Sequence, residues 1–169
     1  MARKPESNLW PTLGRTLGLG AVAGLRSMSA PAHLSRAASR GTIEGIEDTP
    51  FALLAAPGAV RILTLLAVGE AMGDKFSSAP DRISAPGLAG RAASGALVGA
   101  ALFAAAERGK AAGAALGIVS AVAAAYPSYY LRVEAQQRLA VPNWGLGLLE
   151  DALAEGAALV VLRGIRTER

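Results

Sequence analysis

Long charge-free apolar runs, separated by short charged links, limit most strongly what this chain can fold into. The stretch 111–131 carries no charged residue, and the stretch 88–106 carries only Arg91. A helix at the surface of a soluble core pairs an apolar stripe with a polar face. Runs that are apolar on every side, and about twenty residues long, match the hydrocarbon thickness of a bilayer instead. The mean hydropathy of +0.36 and the hydrophobic share of 52% agree with that reading. The predicted architecture is all-α, a polytopic helical membrane bundle of about five spans in a single domain of 169 residues. A polar tail (1–10) precedes spans at about 11–30, 51–73, 88–106, 111–131 and 145–162.

Composition removes several classes of function. There is no Cys, so there is no disulfide framework, thiolate nucleophile or zinc–cysteine site. His33 is the single histidine, which rules out a His-rich metal cluster. The net charge is +4, but the 17 Lys and Arg are spread along the whole chain. Scattered loop charges fit anionic lipid headgroups, not nucleic acid. Residues 1–8 (MARKPESN) lack an apolar region directly behind their positive residues, so no cleaved signal peptide is expected.

The first span is the least regular. Trp10 is an interfacial anchor and Pro11 suits a first helical turn. Gly14, Gly18, Gly20 and Gly24 leave room for a second helix to approach closely. Arg26 then interrupts a run that stays apolar or small to about Ala38. Either the span ends at Arg26, or it is longer and holds Arg26 inside it. Gly24 and Pro31 allow a broken or re-entrant helix, which membranes tolerate only where protein buries it or it lines a cavity. Five spans put the termini on opposite faces. Lys and Arg then divide almost evenly between the faces, so the positive-inside rule gives no orientation.

Charged residues at the span ends are the candidates for chemistry. Glu70 and Asp74 are four apart and share a helix face. They can hold Mg²⁺ or relay protons, or they can pair with Lys75, Arg82 or Arg91 and close the bundle end. Arg91, Ser94 and Gly95 share a face near a helix start, which is an anion seat unless Arg91 snorkels. Arg26, beside Ser27, requires a carboxylate partner, and Glu150 and Asp151 match it in depth, unless those two form an acidic first helical turn at the interface, stabilised by the helix dipole. Ser94, Ser120 and Ser128 have no His beside them in sequence, so a serine-hydrolase site is not expected. A short echo between AGLRSMSA (23–30) and AGRAASGA (89–96) raises the idea of an internal duplication.

The segments AGLRSMSAPA (23–32), GEAMGDKFSSAPDR (69–82), LAGRAASGALVGA (88–100) and GLLEDALA (147–154) resemble a family of small bacterial integral membrane proteins catalogued as domain of unknown function 4126. The resemblance implies an all-helical membrane protein of the bacterial inner membrane and brings no activity. On the residues alone, the first expectation is a small transporter or channel-like protein, not an enzyme. It would be a homo-oligomer, with a charged cavity for an ion, proton or small polar solute. One alternative is a Mg-dependent enzyme of lipid headgroups or phosphoryl groups, with Glu70 and Asp74 on the metal. The other is a structural or accessory subunit whose charges merely pair.

Overall fold

The computed structural model describes residues 9–73, 83–139 and 143–163. Within these residues there are six α-helices, two 3₁₀ turns and no strand. The helices are α1 (Leu9–Leu25), α2 (Ser29–Ser39), α3 (Pro57–Gly73), α4 (Ala85–Ala105), α5 (Lys110–Leu139) and α6 (Asn143–Arg163). Local chemistry sets several of their ends. Ser84 caps α4 by accepting a hydrogen bond from the Gly87 amide, with a proline in the first turn. Thr49 caps the 3₁₀ turn Pro50–Ala55 in the same way. Helix α5 continues well past its tyrosines, its polar last turns carrying a Glu134–Arg138 ion pair.

Helices α1, α4 and α5 form the tightest part of the bundle, and glycine is the reason. A Cβ at Gly117 would strike the Gly95 carbonyl, and one at Gly99 would strike the Gly113 carbonyl. The backbones of α4 and α5 therefore touch directly. Gly20 and Gly24 of α1 meet the same face of α5, at Gly117 and Ala121. Such small-residue seams gain from van der Waals packing that bulkier side chains would prevent. Buried residues recur every fourth position along α5, at Gly113, Gly117, Ala121 and Ala125. The remaining core joins Leu19 and Val22 of α1, Leu34 of α2, Val98 and Leu102 of α4, and Ala154 and Ala158 of α6.

Helix α2 does not extend α1 but returns alongside it. The start of α2 lies at one end of the bundle, where Ser27 and Met28 meet Glu70 of α3. Further on, Arg36 of α2 reaches Thr64, one and a half turns back along α3. At the far end Gly45, just past α2, packs on the carbonyl of Ala105, the last residue of α4. The end of α1, by contrast, meets the first half of α4, through Gly24 and Arg91. Helix α6 gives the same answer: Arg26 faces Asp151, His33 faces Glu155, and Gly18 faces Val161. Thus α1 runs against α6, while α2 runs with it.

The first predicted span, about 11–30, covers most of α1 and the turn after it, and α2 folds back beyond that turn to make a hairpin. Leu9 and Arg163 consequently lie at the same end of the bundle, which corrects the expectation of termini on opposite faces. The physical reason is the turn at Arg26–Met28, whose charged partners come from α3 and α6, far away in sequence. Helix α3 packs only at the edge, against α2 and the 3₁₀ turns, and has no fully buried residue. The link 39–50, expected to be a polar loop, buries Ile43 and Ile46, with Gly45 at a φ of 81° where a side chain is disfavoured.

Candidate functional site at the helix break

The turn between α1 and α2 leaves two sets of backbone groups without helical partners: the last carbonyls of α1 and the first amides of α2. Helix α2 has Met28 at its N-cap, with no capping side chain of its own. Glu70 supplies the cap from α3. Its Oε1 accepts from the Ser27 amide (2.9 Å) and the Ser27 hydroxyl (2.8 Å), and its Oε2 accepts from the Met28 amide (2.7 Å). A carboxylate in this position meets the positive end of the α2 dipole. Arg91 of α4 performs the opposite task. Its Nε donates to the Gly24 carbonyl (2.9 Å) and its Nη1 to the Gly87 carbonyl (3.0 Å). A guanidinium thus meets the negative end of the α1 dipole.

Arg26 occupies the turn itself and is almost wholly enclosed, at 1% exposure. Its Nη2 lies 2.6 Å from Asp151 Oδ1 of α6 and also reaches the Gly147 carbonyl at 3.4 Å. Two further pairs lie along α6. Glu150 Oε2 accepts from Arg132 of α5 at 2.6 Å, with both side chains nearly buried. Glu155 Oε2 lies 2.7 Å from His33 Nε2 of α2. Asp151 and Glu155, one turn apart, present one acidic face of α6 to both arms of the hairpin.

Of the residues singled out in sequence, Arg26, Ser27, Glu70, Arg91 and Asp151 gather at this break. Glu150 sits one position along, turned to α5, and Ser94 is buried on α4 below Arg91. Asp74, Lys75 and Arg82 lie outside the described residues. Glu70 does not stand open to a cation, since both oxygens are engaged by the start of α2. Among the described residues, no group of three or more His, Asp or Glu could hold a metal ion.

A family model described as a domain of unknown function, DUF4126, matches residues 13–163. The chain belongs to the DUF4126 family. The match spans every helix from α1 to α6, so the hairpin and all its charged partners lie inside the DUF4126 domain. No curated protein and no solved structure matches the chain.

Two partners escaped the sequence reading. His33 and Arg132 are not among the candidates named from sequence, yet His33 faces Glu155 and Arg132 holds Glu150. Asp151 and Glu155 being one helical turn apart is the signal that could have found the first. The structure also holds a cleft of about 950 Å³ at the end of the bundle that holds Arg163. Arg36 and Arg40 of α2 line one side, and Leu159, Leu162 and Arg163 of α6 line the other.

Proposed function

We propose that this DUF4126 protein is a multi-pass membrane protein that moves a small ion or polar solute through the charged tip of the α1–α2 hairpin. The observation that carries the reading is the pairing of the enclosed Arg26 with the partly exposed Asp151 at a helix break. Ionisable groups in such a place are expensive, and non-helical backbone at membrane depth belongs where protein covers it or a solute path runs. Many transporters build their sites from helix ends that meet inside the bundle. In this reading Glu70 and Arg91 position the tip, while Arg26 and Asp151 exchange partners with the solute.

Support for a bilayer comes from the surface. Helices Ala85–Ala105 and Lys110–Arg138 are long and apolar enough to cross a membrane. Only 28% of the apolar window of α5 is buried inside the fold, whereas a soluble core helix would hide most of it. Helices α1 and α3 are 17 residues each, at the short limit for a span. On α3, Ile62, Leu65 and Met72 are exposed.

In this reading the hairpin also favours one orientation. Among the described residues, Arg36, Arg40, Arg61, Lys110 and Arg163 lie toward the end that holds Leu9 and Arg163. At the other end Arg26, Arg91 and Arg132 are engaged within the bundle, and Arg138 pairs with Glu134. By the positive-inside rule the shared end of the termini faces the cytoplasm, in an inner membrane. The headgroup-enzyme alternative loses ground, because its proposed metal ligand Glu70 is occupied as a cap.

Purified protein in liposomes tests the transport reading. A panel of imposed gradients (H⁺, Na⁺, K⁺, Cl⁻) should include one that collapses faster than in empty liposomes. Asp151→Asn should slow that flux by about tenfold or more, the effect of about 1.4 kcal/mol on a barrier. Glu134→Gln, on an exposed turn of α5, should leave it unchanged. Wild-type liposomes as tight as empty ones to the whole panel would argue for an accessory role.

A further inference from the structure

We propose that the cleft between the C-terminal turns of α2 and α6 is a binding site for a phosphate group that carries an apolar tail or stands alone. The cleft is large, about 950 Å³, and runs along α2 from His33, which also faces Glu155, to Arg40 and the turn beyond it. Its two walls differ in chemistry. Arg36, Arg40 and Arg163 supply three guanidinium groups, and Ala37, Leu159 and Leu162 supply an apolar wall. Guanidinium is the side chain best matched to phosphate oxygens, because its planar fork donates two parallel hydrogen bonds.

The arginines are available for this task. Arg40 and Arg163 are exposed, and among the described residues neither takes part in an ion pair. Arg36 donates to the Thr64 hydroxyl at 3.3 Å, a long bond to a neutral group. Glu44 also lines the cleft and offsets part of the charge, leaving the lining cationic. Three cations converging from segments more than a hundred residues apart are not required for helix capping. One basic residue in the last turn of each helix would already complement its dipole. The apolar wall beside the cations fits an anionic phospholipid, whose headgroup would meet the arginines while its chains follow Leu159 and Leu162 out of the cleft. This end is also the one that the charge distribution assigns to the cytoplasmic, anionic leaflet surface.

The test uses full-length protein in a zwitterionic detergent. Three probes are added separately: phosphatidylglycerol, glycerol phosphate and inorganic phosphate, with phosphatidylcholine as the reference. Native mass spectrometry counts retained lipid, and the thermal midpoint reports binding of each probe. Wild type should retain phosphatidylglycerol over phosphatidylcholine. The double variant Arg40→Gln/Arg163→Gln should weaken that binding by about tenfold or more, given loss of two charge-assisted contacts. Its midpoint without any probe should match wild type, because both side chains are exposed. A response to phosphatidylglycerol alone assigns the site to lipid; an equal response to glycerol phosphate or phosphate assigns it to a free phosphate compound. Equal responses of wild type and double variant, or no response to any probe, would overturn the proposal. The cleft does not depend on transport: liposomes without flux leave this result untouched.

Discussion

Asp151→Ala should destabilise the fold by about 3–5 kcal/mol, the usual cost of removing one partner from a buried ion pair. Arg26 is 1% exposed and would lose the carboxylate 2.6 Å away, although Asp151 itself is 22% exposed and the cost falls toward the lower end of that range. Water cannot readily replace that partner, so the loss should appear as a large fall in the unfolding midpoint in mild detergent. Arg26→Met in the same background should recover most of the loss. With both charges gone, apolar groups occupy the space and neither member of the pair is left as an unmatched charge. This recovery distinguishes an ion pair from simple packing, in which the two losses would add. It also separates stability from transport. If Arg26 and Asp151 exchange partners with a solute, the double variant should regain its midpoint and still carry no flux.

Glu70→Ala should cost about 3 kcal/mol, since three hydrogen bonds to one carboxylate are lost and the start of α2 is left without its cap. Glu70→Gln should cost about half as much, because the amide keeps one acceptor oxygen while losing the charge that meets the α2 dipole. The loss should be local before it is global. Amide exchange at residues 27–32 should accelerate sharply in Glu70→Ala, while exchange in α4 and α5 should stay slow behind their glycine seam. Uniform acceleration throughout the chain would contradict the capping role.

Part of this arrangement is legible in sequence, and the physics explains which part. An arginine inside an apolar run demands a carboxylate, and depth along the spans points to Glu150 or Asp151; the structure chooses Asp151. The glycines four apart in α4 and α5 announce a close helix contact, and that contact exists. A break near Arg26 is legible from Gly24 and Pro31. The direction of the chain after the break is not. Gly24 and Pro31 permit a kink, a gap or a full reversal, and the choice is made by Glu70 and by Asp151 and Glu155, which lie far along the chain. The role of Glu70 was hidden for a similar reason. A carboxylate at a helix end looks alike whether it awaits a cation or holds backbone amides. The three arginines of the cleft read singly as loop charges, because nothing in the sequence brings Arg163 beside Arg36 and Arg40.

The reversal at Arg26–Met28 is the claim on which the site, the orientation and the cleft all depend. It can be tested in intact cells by single-cysteine labelling, without background, since the chain has no native cysteine. Leu9→Cys, Gly109→Cys and Arg163→Cys would each be exposed to a membrane-impermeant thiol reagent, before and after the membrane is opened. A hairpin predicts that all three positions react together, and in the proposed orientation they are protected in intact cells until the cytoplasmic face is reached. A first helix that crosses without turning back would put Leu9→Cys on the face opposite Gly109→Cys. Labelling of Leu9→Cys in intact cells, with Gly109→Cys still protected, would contradict the account.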